Sequence, residues 1–392
     1  MESGSSSSSK EYDVIVLGAG VEGSSTAYNL TKNGGGRVLL LEQFSALHTR
    51  GSSHGGSRIT RRAYHEAYYV QMMNEAYQMW GQIEREGKTQ LYTKTGILLF
   101  GPKNSRELKR TIESLNVHGV DHEVFNAEEG MMRYPHQLNL PSDHKCVLEK
   151  DGGILNATKA VGVIQRLFTE NGGEFLDGHK VKEITPGPII RVTTDQGVFT
   201  ARRLIITAGA WAPAIMATLG VHLPFKFETM RAEVLYWRAE HPEHYSPDVF
   251  PTFGMYDATH HPFYGLPIFE YPGLVKICAH MSVCVKPDAR DEQPSPDTEG
   301  TKQFIAKYFK GVSTTPSVYE PCIITKTPDE NPIIARHPKH ANIVFGAGFS
   351  GHGFKLAPVV GKILTELALD LPPSYDLAPF RLDRFSKYSS KL

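Results

Sequence analysis

The clearest pattern of apolar and polar positions lies near the start of the chain. Residues 13–17 form a short apolar run rich in Val and Ile, which is typical of a buried parallel strand, and 37–41 form a second run. Residues 24–33 between them are predicted to be a helix. The pattern therefore predicts a strand–helix–strand unit.

The remaining chain is predicted to mix helices and strands, as in an α/β protein. Helices are expected at 69–86, 106–115, 157–171, 302–309 and 357–369, and two short paired strands at 91–100. Further strands are expected at 180–184, 189–194, 198–201, 204–207 and 341–346. Residues 225–237 and 263–280 alternate like the strands of a second, mostly antiparallel sheet.

Glycines follow the first predicted strand with the spacing G-x-G-x-x-G. Gly18 allows a tight turn, Gly20 lets the backbone approach a pyrophosphate, and Gly23 lets the helix pack close to the strand. Glu42 closes the second strand, where a carboxylate accepts hydrogen bonds from a ribose diol. The segment predicts dinucleotide binding, with a structural glycine turn as the alternative, and does not separate FAD from NAD.

Two more predicted strands also run directly into glycines. The three segments are VIVLGAG, LIITAG and NIVFGAG, spread from residue 14 to residue 348. Ligands of an open α/β sheet bind beyond the carboxyl ends of its strands. We therefore expect one cofactor lobe assembled from distant segments, with a β-rich lobe inserted into it. Contacts from both ends of the chain favour FAD over NAD, unless glycine merely ends these strands.

The expected domain boundaries follow from this arrangement. Residues 11–90, 150–220 and 320–385 are assigned to the cofactor lobe, and 91–149 and 221–319 to the substrate lobe. Residues 1–10 are expected to be a disordered lead-in, and 386–392 a flexible tail. The tail ends in Ser390-Lys391-Leu392, which at a free C-terminus is read by the peroxisomal import receptor, with an ordinary solvated tail as the alternative.

Composition and charge argue against several classes of protein. Lys plus Arg equals Asp plus Glu, 42 against 42, so nothing indicates binding to nucleic acid or to an anionic membrane. Four irregularly spaced cysteines form no disulfide framework, which favours a reducing compartment. The histidine pairs lack supporting cysteines or acids, so no metal site is predicted.

Two groups of basic residues are candidates for holding anions. The loop AGFSGHGFK offers backbone N–H groups, and Lys355 adds positive charge for a reduced flavin or a substrate carboxylate. Arg58, Arg61 and Arg62 follow a loop of glycine and serine, and Arg58 and Arg61 would share a face if the stretch were helical. Arginine is the preferred clamp for a carboxylate, although surface arginines are the alternative.

The strand LVKICAH and the segment YEPCIITKTPDENP contain three further candidates. Strict alternation places Lys276 and His280 on the same side of the strand. A charged group inside an apolar strand indicates a partner or a cavity, although a lone lysine more often lies at an edge. Cys322 is interpreted from its own segment as a buried thiol.

Taken together, the motifs resemble a known family. The chain is similar to the monomeric sarcosine oxidase family, and to its peroxisomal members in particular, in GAGVEGS, RGSSHGGSRITRRAY, YTKTGILLFG, TAGAW, CIITKTPDENPIIARHP and GAGFSGHGFKLAP. The resemblance implies a FAD-binding Rossmann-like domain with an inserted substrate domain, the two-lobe architecture of glucose-methanol-choline and D-amino acid oxidases. It also implies a monomeric oxidase that converts sarcosine, L-pipecolate or L-proline to the imine and reduces O2 to H2O2.

The resemblance implies roles in cofactor binding for several residues. Cys322 stands where the family forms a thioether with the 8α-methyl group of FAD. Arg58 matches an arginine beside the flavin ring, and Val181 matches a backbone contact to the adenine side. Gly348 and Gly351 belong to the second glycine-rich loop, which is expected to contact the cofactor.

It also implies roles in catalysis. Arg61 and Lys355 match the residues that bind the substrate carboxylate, and Tyr264 lines the pocket. His280 matches the active-site histidine near the amine, and Lys276 matches the lysine that activates oxygen.

One position departs from the family pattern. The second residue after the linking cysteine is usually tyrosine, and here it is Ile324, which puts the substrate in doubt rather than the flavin link. Two other functions stay open: a dehydrogenase of the same fold that uses another electron acceptor, and a flavin-binding protein that has lost activity. Lys276 and the C-terminal tripeptide argue against the first, and the retained candidate residues argue against the second.

Overall fold

The computed structural model describes residues 10–256, 263–279, 282–292 and 298–390. The chain divides into two compact units, the first built from Met1–His54, Val161–Glu228 and Ile324–Leu392 and the second from Gly55–Ala160 and Thr229–Ile323. Both units are discontinuous, as expected, but their boundaries differ from the predicted ones. Residues 55–90 and 150–160 belong to the second unit, because segments of both pair in one small sheet there.

The helices and strands are numbered in chain order. The α-helices are α1 (Val21–Lys32), α2 (Ala67–Gly87), α3 (Arg106–Val117), α4 (Ala127–Arg133), α5 (Ala157–Glu170), α6 (Ala212–Thr218), α7 (Glu299–Tyr308) and α8 (Gly353–Ala368). The first ten strands are β1 (Lys10–Leu17), β2 (Val38–Leu41), β3 (Arg58–Thr60), β4 (Tyr92–Lys94), β5 (Ile97–Pro102), β6 (His122–Asn126), β7 (His144–Glu149), β8 (Gly153–Leu155), β9 (Glu174–Leu176) and β10 (Val181–Thr185). The others are β11 (Ile190–Thr194), β12 (Val198–Ile206), β13 (Glu228–Ala239), β14 (Thr252–Met255), β15 (Phe263–Leu266), β16 (Leu274–Ala279), β17 (Ser282–Cys284), β18 (Val312–Lys326), β19 (Ile333–Arg336) and β20 (Ile343–Ala347).

An eight-stranded sheet forms the centre of the first unit. Its order is β10-β11-β12-β1-β2-β9, with β20 beside β12 and β19 beside β20. The segments 198–201 and 204–207, predicted as two strands, are largely one continuous strand, β12. Its first half pairs with β11 and its second half with β20, so a single long strand joins the antiparallel and parallel parts of the sheet.

Helices α1 and α8 pack against each other in the first unit. A Cβ atom at Gly361 of α8 would lie 2.7 Å from the carbonyl carbon of Ser25 in α1. The glycine therefore permits the close approach of the two helices. This contact joins the beginning of the first unit to its C-terminal segment.

The second unit contains a nine-stranded, mostly antiparallel sheet, as predicted. Its order is β17-β13-β16-β15-β14-β5-β7-β6, with β18 beside β13. A separate three-stranded sheet has the order β3-β8-β4. The prediction that 91–100 forms a pair of strands was wrong, because β4 pairs with β8 whereas β5 pairs with β7 and β14.

The aromatic core of the second unit lies against the larger sheet. Trp237, Phe100 and Phe253 are completely buried. Their burial explains why strands with few polar residues form here rather than at the surface. Among the described residues, no helix combines the length and the apolar character that crossing a membrane requires.

Candidate functional site

The three glycine-ended strands lie side by side in the first unit. β1 pairs in parallel with β12, and β12 pairs in parallel with β20, so their carboxyl ends meet at one edge of the sheet. The prediction that these distant segments form one site edge is therefore confirmed. The helices α1 and α8 begin a few residues beyond β1 and β20, so the N–H groups of their first turns lie near this edge.

Two glycines of the first loop are required by the packing. Gly18 has φ +94°, and a Cβ atom there would lie 2.6 Å from the carbonyl oxygen of Thr207. A Cβ atom at Gly23 would lie only 1.8 Å from the carbonyl oxygen of Gly18. At Gly20, where a Cβ atom would meet Ser53 Oγ at 3.0 Å, the chain turns into α1. The loop has the close turn that a pyrophosphate site requires.

Glu42 lies at the end of β2 and is buried. Its Oε2 accepts a hydrogen bond from the N–H of Ala19 (2.9 Å), and its Oε1 accepts one from the N–H of Phe44 (3.0 Å). Burial opposes ionisation, but the hydrogen bonds from His48 and from these N–H groups lower the pKa of Glu42 below its ordinary value. His48 Nε2 lies 3.5 Å from Oε1, whereas Oε2 keeps a second lone pair, so the group can still accept from a ribose.

Val181 is connected to Glu42 through the preceding turn. The N–H of His179 donates to the carbonyl oxygen of Glu42 at 2.7 Å, and β10 starts at Val181 two residues later. The structure thus brings Val181 into the neighbourhood of Glu42 within the first unit. Its contact with adenine stays a prediction.

The second glycine-rich loop is fixed by the end of β18. Gly348, Ser350 and Gly351 all have positive φ, at +68°, +51° and +87°. The N–H of Ser350 donates to the carbonyl oxygen of Thr325 (3.0 Å), and the N–H of Thr327 donates to Ser350 Oγ (3.2 Å). These bonds hold the loop in the left-handed turn that precedes α8.

Lys355 lies in the first turn of α8 and is 7% exposed. Its Nζ donates to the carbonyl oxygen of Gly351 at 3.2 Å. A buried ammonium on a glycine-rich loop is suited to an anionic group of a ligand.

Buried polar atoms that have no hydrogen-bond partner within the described ranges border both glycine loops. They are both carboxyl oxygens of Glu22, in the first turn of α1, and the hydroxyl of Thr325, beside the second loop. Buried polar groups are nearly always hydrogen-bonded, so such atoms are expected where a polar ligand supplies the partner. The first unit therefore fits a dinucleotide whose hydroxyls and phosphates lie along this edge.

In the second unit, Lys276 forms the centre of a buried polar cluster. It is 5% exposed, and its Nζ donates to Glu270 Oε1 (2.8 Å) and to Ser57 Oγ (3.0 Å). The Nζ also lies 5.4 Å from the ring centre of Tyr236. The prediction of a partner for this lysine is confirmed, although sequence reasoning did not find Glu270, Ser57 or Tyr236.

Glu270 connects Lys276 to the segment before β3. Its Oε2 accepts from the N–H of Gly56 at 2.8 Å, and its Oε1 accepts from the hydroxyl of Ser57. Burial disfavours the charge, but Lys276 and these hydrogen bonds lower the pKa of Glu270 below its ordinary value. A buried ion pair with this many hydrogen bonds holds the ammonium group of Lys276 in one place.

Tyr264 is the centre of a second cluster in this unit. It stands opposite Cys278 in the pairing of β15 with β16. Burial is the main cause of the raised pKa of the Tyr264 phenol, and the nearby thiols of Cys278 and Cys322 raise it further. The positive charge of Arg58 acts in the opposite direction. The predicted linking cysteine, the predicted pocket tyrosine and Arg58 are therefore close together. Cys322 itself is 9% exposed, which confirms that it is a buried thiol.

Arg61 follows β3 and not a helix, so the proposed helical face shared with Arg58 was wrong. Its guanidinium lies 4.0 Å from the ring centre of Tyr64, and its buried Nη1 has no hydrogen-bond partner among the residues that the structure describes. Burial opposes the charge, yet the surrounding Tyr64, Tyr256 and Glu149 raise the pKa of Arg61. This cation with an unused donor fits a ligand carboxylate.

Arg62 is hydrogen-bonded to other side chains of the protein. Its Nη1 donates to Asp151 at 2.9 Å and its Nε to Asn74 at 2.7 Å. The three arginines of SRITRRAY thus have different surroundings, which their spacing alone did not reveal. His280, and Lys391 and Leu392 of the C-terminal tripeptide, lie outside the described residues.

The glycine loops have the geometry of a dinucleotide-binding fold, and comparisons with known proteins identify its family. The model of the FAD dependent oxidoreductase family matches residues 13–367. Peroxisomal sarcosine oxidase of Mus musculus is 46% identical over 383 residues, which cover 96% of this chain and 97% of that protein. Monomeric sarcosine oxidase of Bacillus sp. (strain B-0618) is 33% identical over 384 residues, 96% of this chain and 97% of that protein. The chain therefore belongs to the FAD dependent oxidoreductase family and, within it, to the sarcosine oxidase family that its motifs resemble.

Solved structures agree on the fold. NikD, an amino acid oxidase essential for nikkomycin biosynthesis, has a TM-score of 0.82 at 21% identity and covers 95% of this chain and 98% of its own. L-proline dehydrogenase from P. horikoshii has a TM-score of 0.81 at 20% identity, over 97% of this chain and 99% of its own. These matches confirm the predicted two-lobe architecture with a FAD-binding domain. FAD also fits the residues present, since both glycine loops and Glu42 offer the groups that its pyrophosphate and ribose require.

Proposed function

We propose that the protein is a flavoprotein oxidase that oxidises secondary amino acids to the imine and reduces O2 to H2O2. The candidate substrates are sarcosine, L-pipecolate and L-proline. The observation that carries the proposal is the buried Nη1 of Arg61, which has no hydrogen-bond partner among the described residues and fits a substrate carboxylate. The family supports the cofactor, and the names of the similar proteins support the substrate class.

The substrate is held by its carboxylate. Arg61 binds it through the planar guanidinium fork, and Lys355 adds a second positive charge. Tyr264 lines the pocket, and its buried phenol keeps its proton and so serves as a hydrogen-bond donor. His280 is assigned to the neighbourhood of the amine. Because the amine must be neutral before it is oxidised, the surroundings must favour loss of the ammonium proton.

FAD, when bound, takes two electrons from the substrate and passes them to oxygen. Lys276 is assigned to the oxygen step, because a buried ammonium stabilises the negative charge that develops on oxygen. Its ion pair with Glu270 holds the ammonium in a defined position. Replacing Lys276 by Met is expected to leave flavin reduction intact and to slow reoxidation by orders of magnitude. Unchanged reoxidation would remove this role.

The cofactor is proposed to be bound covalently through Cys322. Its buried thiol lies close to Arg58 and Tyr264, which supports a reaction with the 8α-methyl group of the flavin. The test is to precipitate the protein with acid and to measure the yellow flavin in the pellet. Cys322→Ser should release all flavin, whereas Cys284→Ser, which changes an exposed cysteine, should retain it. Flavin in the wild-type supernatant would exclude the link.

The activity is tested by oxygen consumption matched to peroxide formation with sarcosine, L-pipecolate and L-proline, and with D-amino acids as controls. Turnover only with an artificial electron acceptor would favour the dehydrogenase alternative. Reaction with none of the secondary amino acids would contradict the proposed substrate class. Arg61→Met separates binding from folding, because it should raise KM while the flavin spectrum stays unchanged.

The C-terminal tripeptide Ser390-Lys391-Leu392 supports a peroxisomal location and an interaction with the import receptor. A fluorescent protein carrying the last ten residues should enter peroxisomes, and the same fusion without the tripeptide should not. A monomer is expected, and the molar mass of the full chain in solution tests it.

A further inference from the structure

Glu22 occupies the third variable position of the glycine fingerprint, directly before Gly23, in the first turn of α1. The residue is 8% exposed, and neither carboxyl oxygen has a hydrogen-bond partner in the part of the chain that the structure describes. The other buried glutamates of the described residues differ in this respect. Glu42, Glu149, Glu233 and Glu366 each accept at least one hydrogen bond from the protein. Glu22 is thus a buried carboxyl group with both oxygens unused.

The side chain of Glu22 is directed to the beginning of α8. A Cβ atom at Gly353, the first residue of α8, would lie 2.6 Å from Glu22 Oε1. The carboxyl group is therefore located between the first turns of α1 and α8, the two helices that begin at the glycine-rich loops. Both helices follow parallel strands that end at the same edge of the sheet.

The protonation state of Glu22 follows from its surroundings. A charged carboxylate without hydrogen bonds is unfavourable inside a protein, so the neutral form dominates. Burial raises the pKa of Glu22 well above its ordinary value, in agreement with this argument. A neutral carboxyl group has one O–H donor and one carbonyl acceptor, which together match a hydroxyl group.

FAD contains hydroxyl groups in the segment that this position faces. The first turn of α1 is suited to the pyrophosphate, and the loop before α8 is expected to contact the flavin ring. The ribityl chain, which has three hydroxyls, joins these two parts of FAD. We propose that Glu22 is a cofactor-binding residue whose neutral carboxyl group exchanges hydrogen bonds with a ribityl hydroxyl of FAD.

The inference rests on FAD binding, which the family establishes, and not on the proposed substrate. Its test is a binding measurement on the full-length protein without cofactor, in a Cys322→Ser background so that binding is reversible. Quenching of flavin fluorescence gives the dissociation constant of FAD. Binding of ADP, which has the adenine and pyrophosphate but no ribityl chain, serves as the comparison ligand.

Glu22→Met removes both hydrogen-bonding atoms at similar length, and Glu22→Gln keeps a donor and an acceptor. We expect Met to weaken FAD binding about tenfold, as the loss of one hydrogen bond does, and Gln to stay within about threefold of the parent. Neither change should alter ADP binding. Equal weakening of FAD and ADP, or unchanged FAD binding by Glu22→Met, would overturn the proposal.

If Glu22→Met does not fold, the same contact is tested by changing the ligand and keeping the parent protein. FAD analogues that each lack one ribityl hydroxyl are bound to the parent protein. One of them should bind about tenfold more weakly than FAD, and Glu22→Gln should show the same preference. If the parent binds every analogue as tightly as FAD, no ribityl hydroxyl contacts the protein here and the proposal fails.

Discussion

The ion pair between Lys276 and Glu270 allows a sharp test of how the second unit is stabilised. Glu270 uses Oε1 for Lys276 Nζ and Oε2 for the N–H of Gly56, both at 2.8 Å. In Glu270→Gln the amide has only one acceptor oxygen, so one of these two donors must lose its partner. The variant therefore removes a negative charge and one hydrogen bond without changing the size of the side chain.

The expected effect is large because both side chains are buried, at 6% and 8% exposure. Removing one member of a buried ion pair typically lowers the free energy of unfolding by about 3–5 kcal/mol, since it leaves an uncompensated charge. Ser57 Oγ remains as a partner of Lys276 and offsets part of this loss. We expect a decrease of about 3 kcal/mol and slower reoxidation of the flavin, because the ammonium loses either its proton or its position.

Urea denaturation of the flavin-loaded protein measures the first effect, and stopped-flow mixing of reduced protein with oxygen measures the second. Glu320→Gln is the matched control, because Glu320 accepts hydrogen bonds from Tyr236 and Tyr271 and forms no ion pair with Lys276. It should cost about 1 kcal/mol. The decisive comparison repeats Glu270→Gln in the Lys276→Met background, where its cost should fall by at least about 2 kcal/mol. An equal cost in both backgrounds would show that the ion pair with Lys276 does not account for the loss of stability.

Three further predictions concern other parts of the molecule. Gly23→Ala should abolish flavin binding, because the new Cβ atom would lie 1.8 Å from the carbonyl oxygen of Gly18. Gly197→Ala is the control and should keep the flavin, because a Cβ atom there has no neighbour within 4 Å. A yellow Gly23→Ala protein would contradict this prediction. Burial raises the pKa of Glu149 from an ordinary value of 4.5 to about 7. Between pH 4.5 and 7 the folded state keeps the proton of Glu149 while the unfolded state loses it, so the free energy of unfolding should fall by about 3 kcal/mol over this range. In urea unfolding, Glu149→Gln should not show this pH-dependent loss. Identical pH dependence in the two proteins would contradict the prediction. Arg61→Lys should raise KM for the amino acid about tenfold with a smaller change in kcat, since the bidentate fork is lost, and an unchanged KM would show that the carboxylate binds elsewhere.

The cofactor edge was predictable because its requirements are local. Gly18 and Gly23 are needed for contacts within a few residues or with the adjacent strand, and each glycine follows an apolar run. Such a constraint is visible in the sequence as an apolar run that ends in glycine. The shared edge of β1, β12 and β20 was predicted because this pattern occurs three times.

The polar cluster around Lys276 was not predictable in the same way. Ser57 and Lys276 are 219 residues apart, and they come into contact only when the second unit has folded. Glu270, six residues before Lys276, was the one accessible hint, since a carboxylate so near a buried lysine is a natural partner. Arg61 and Arg62 have the same chemistry in the sequence, and only the positions of Asp151 and Tyr64 give them different contacts.

The packing of α1 against α8 has a consequence for how the protein is made. The ribosome synthesises α1 long before its partner helix α8, which spans Gly353–Ala368. Until then the surface of α1 that packs against α8 stays uncovered, and β12 lacks its neighbour β20. Contacts between such distant segments form slowly. A chain that stops before Ile343 therefore cannot complete the sheet of the first unit, and premature termination should give an insoluble product instead of a shortened flavoprotein.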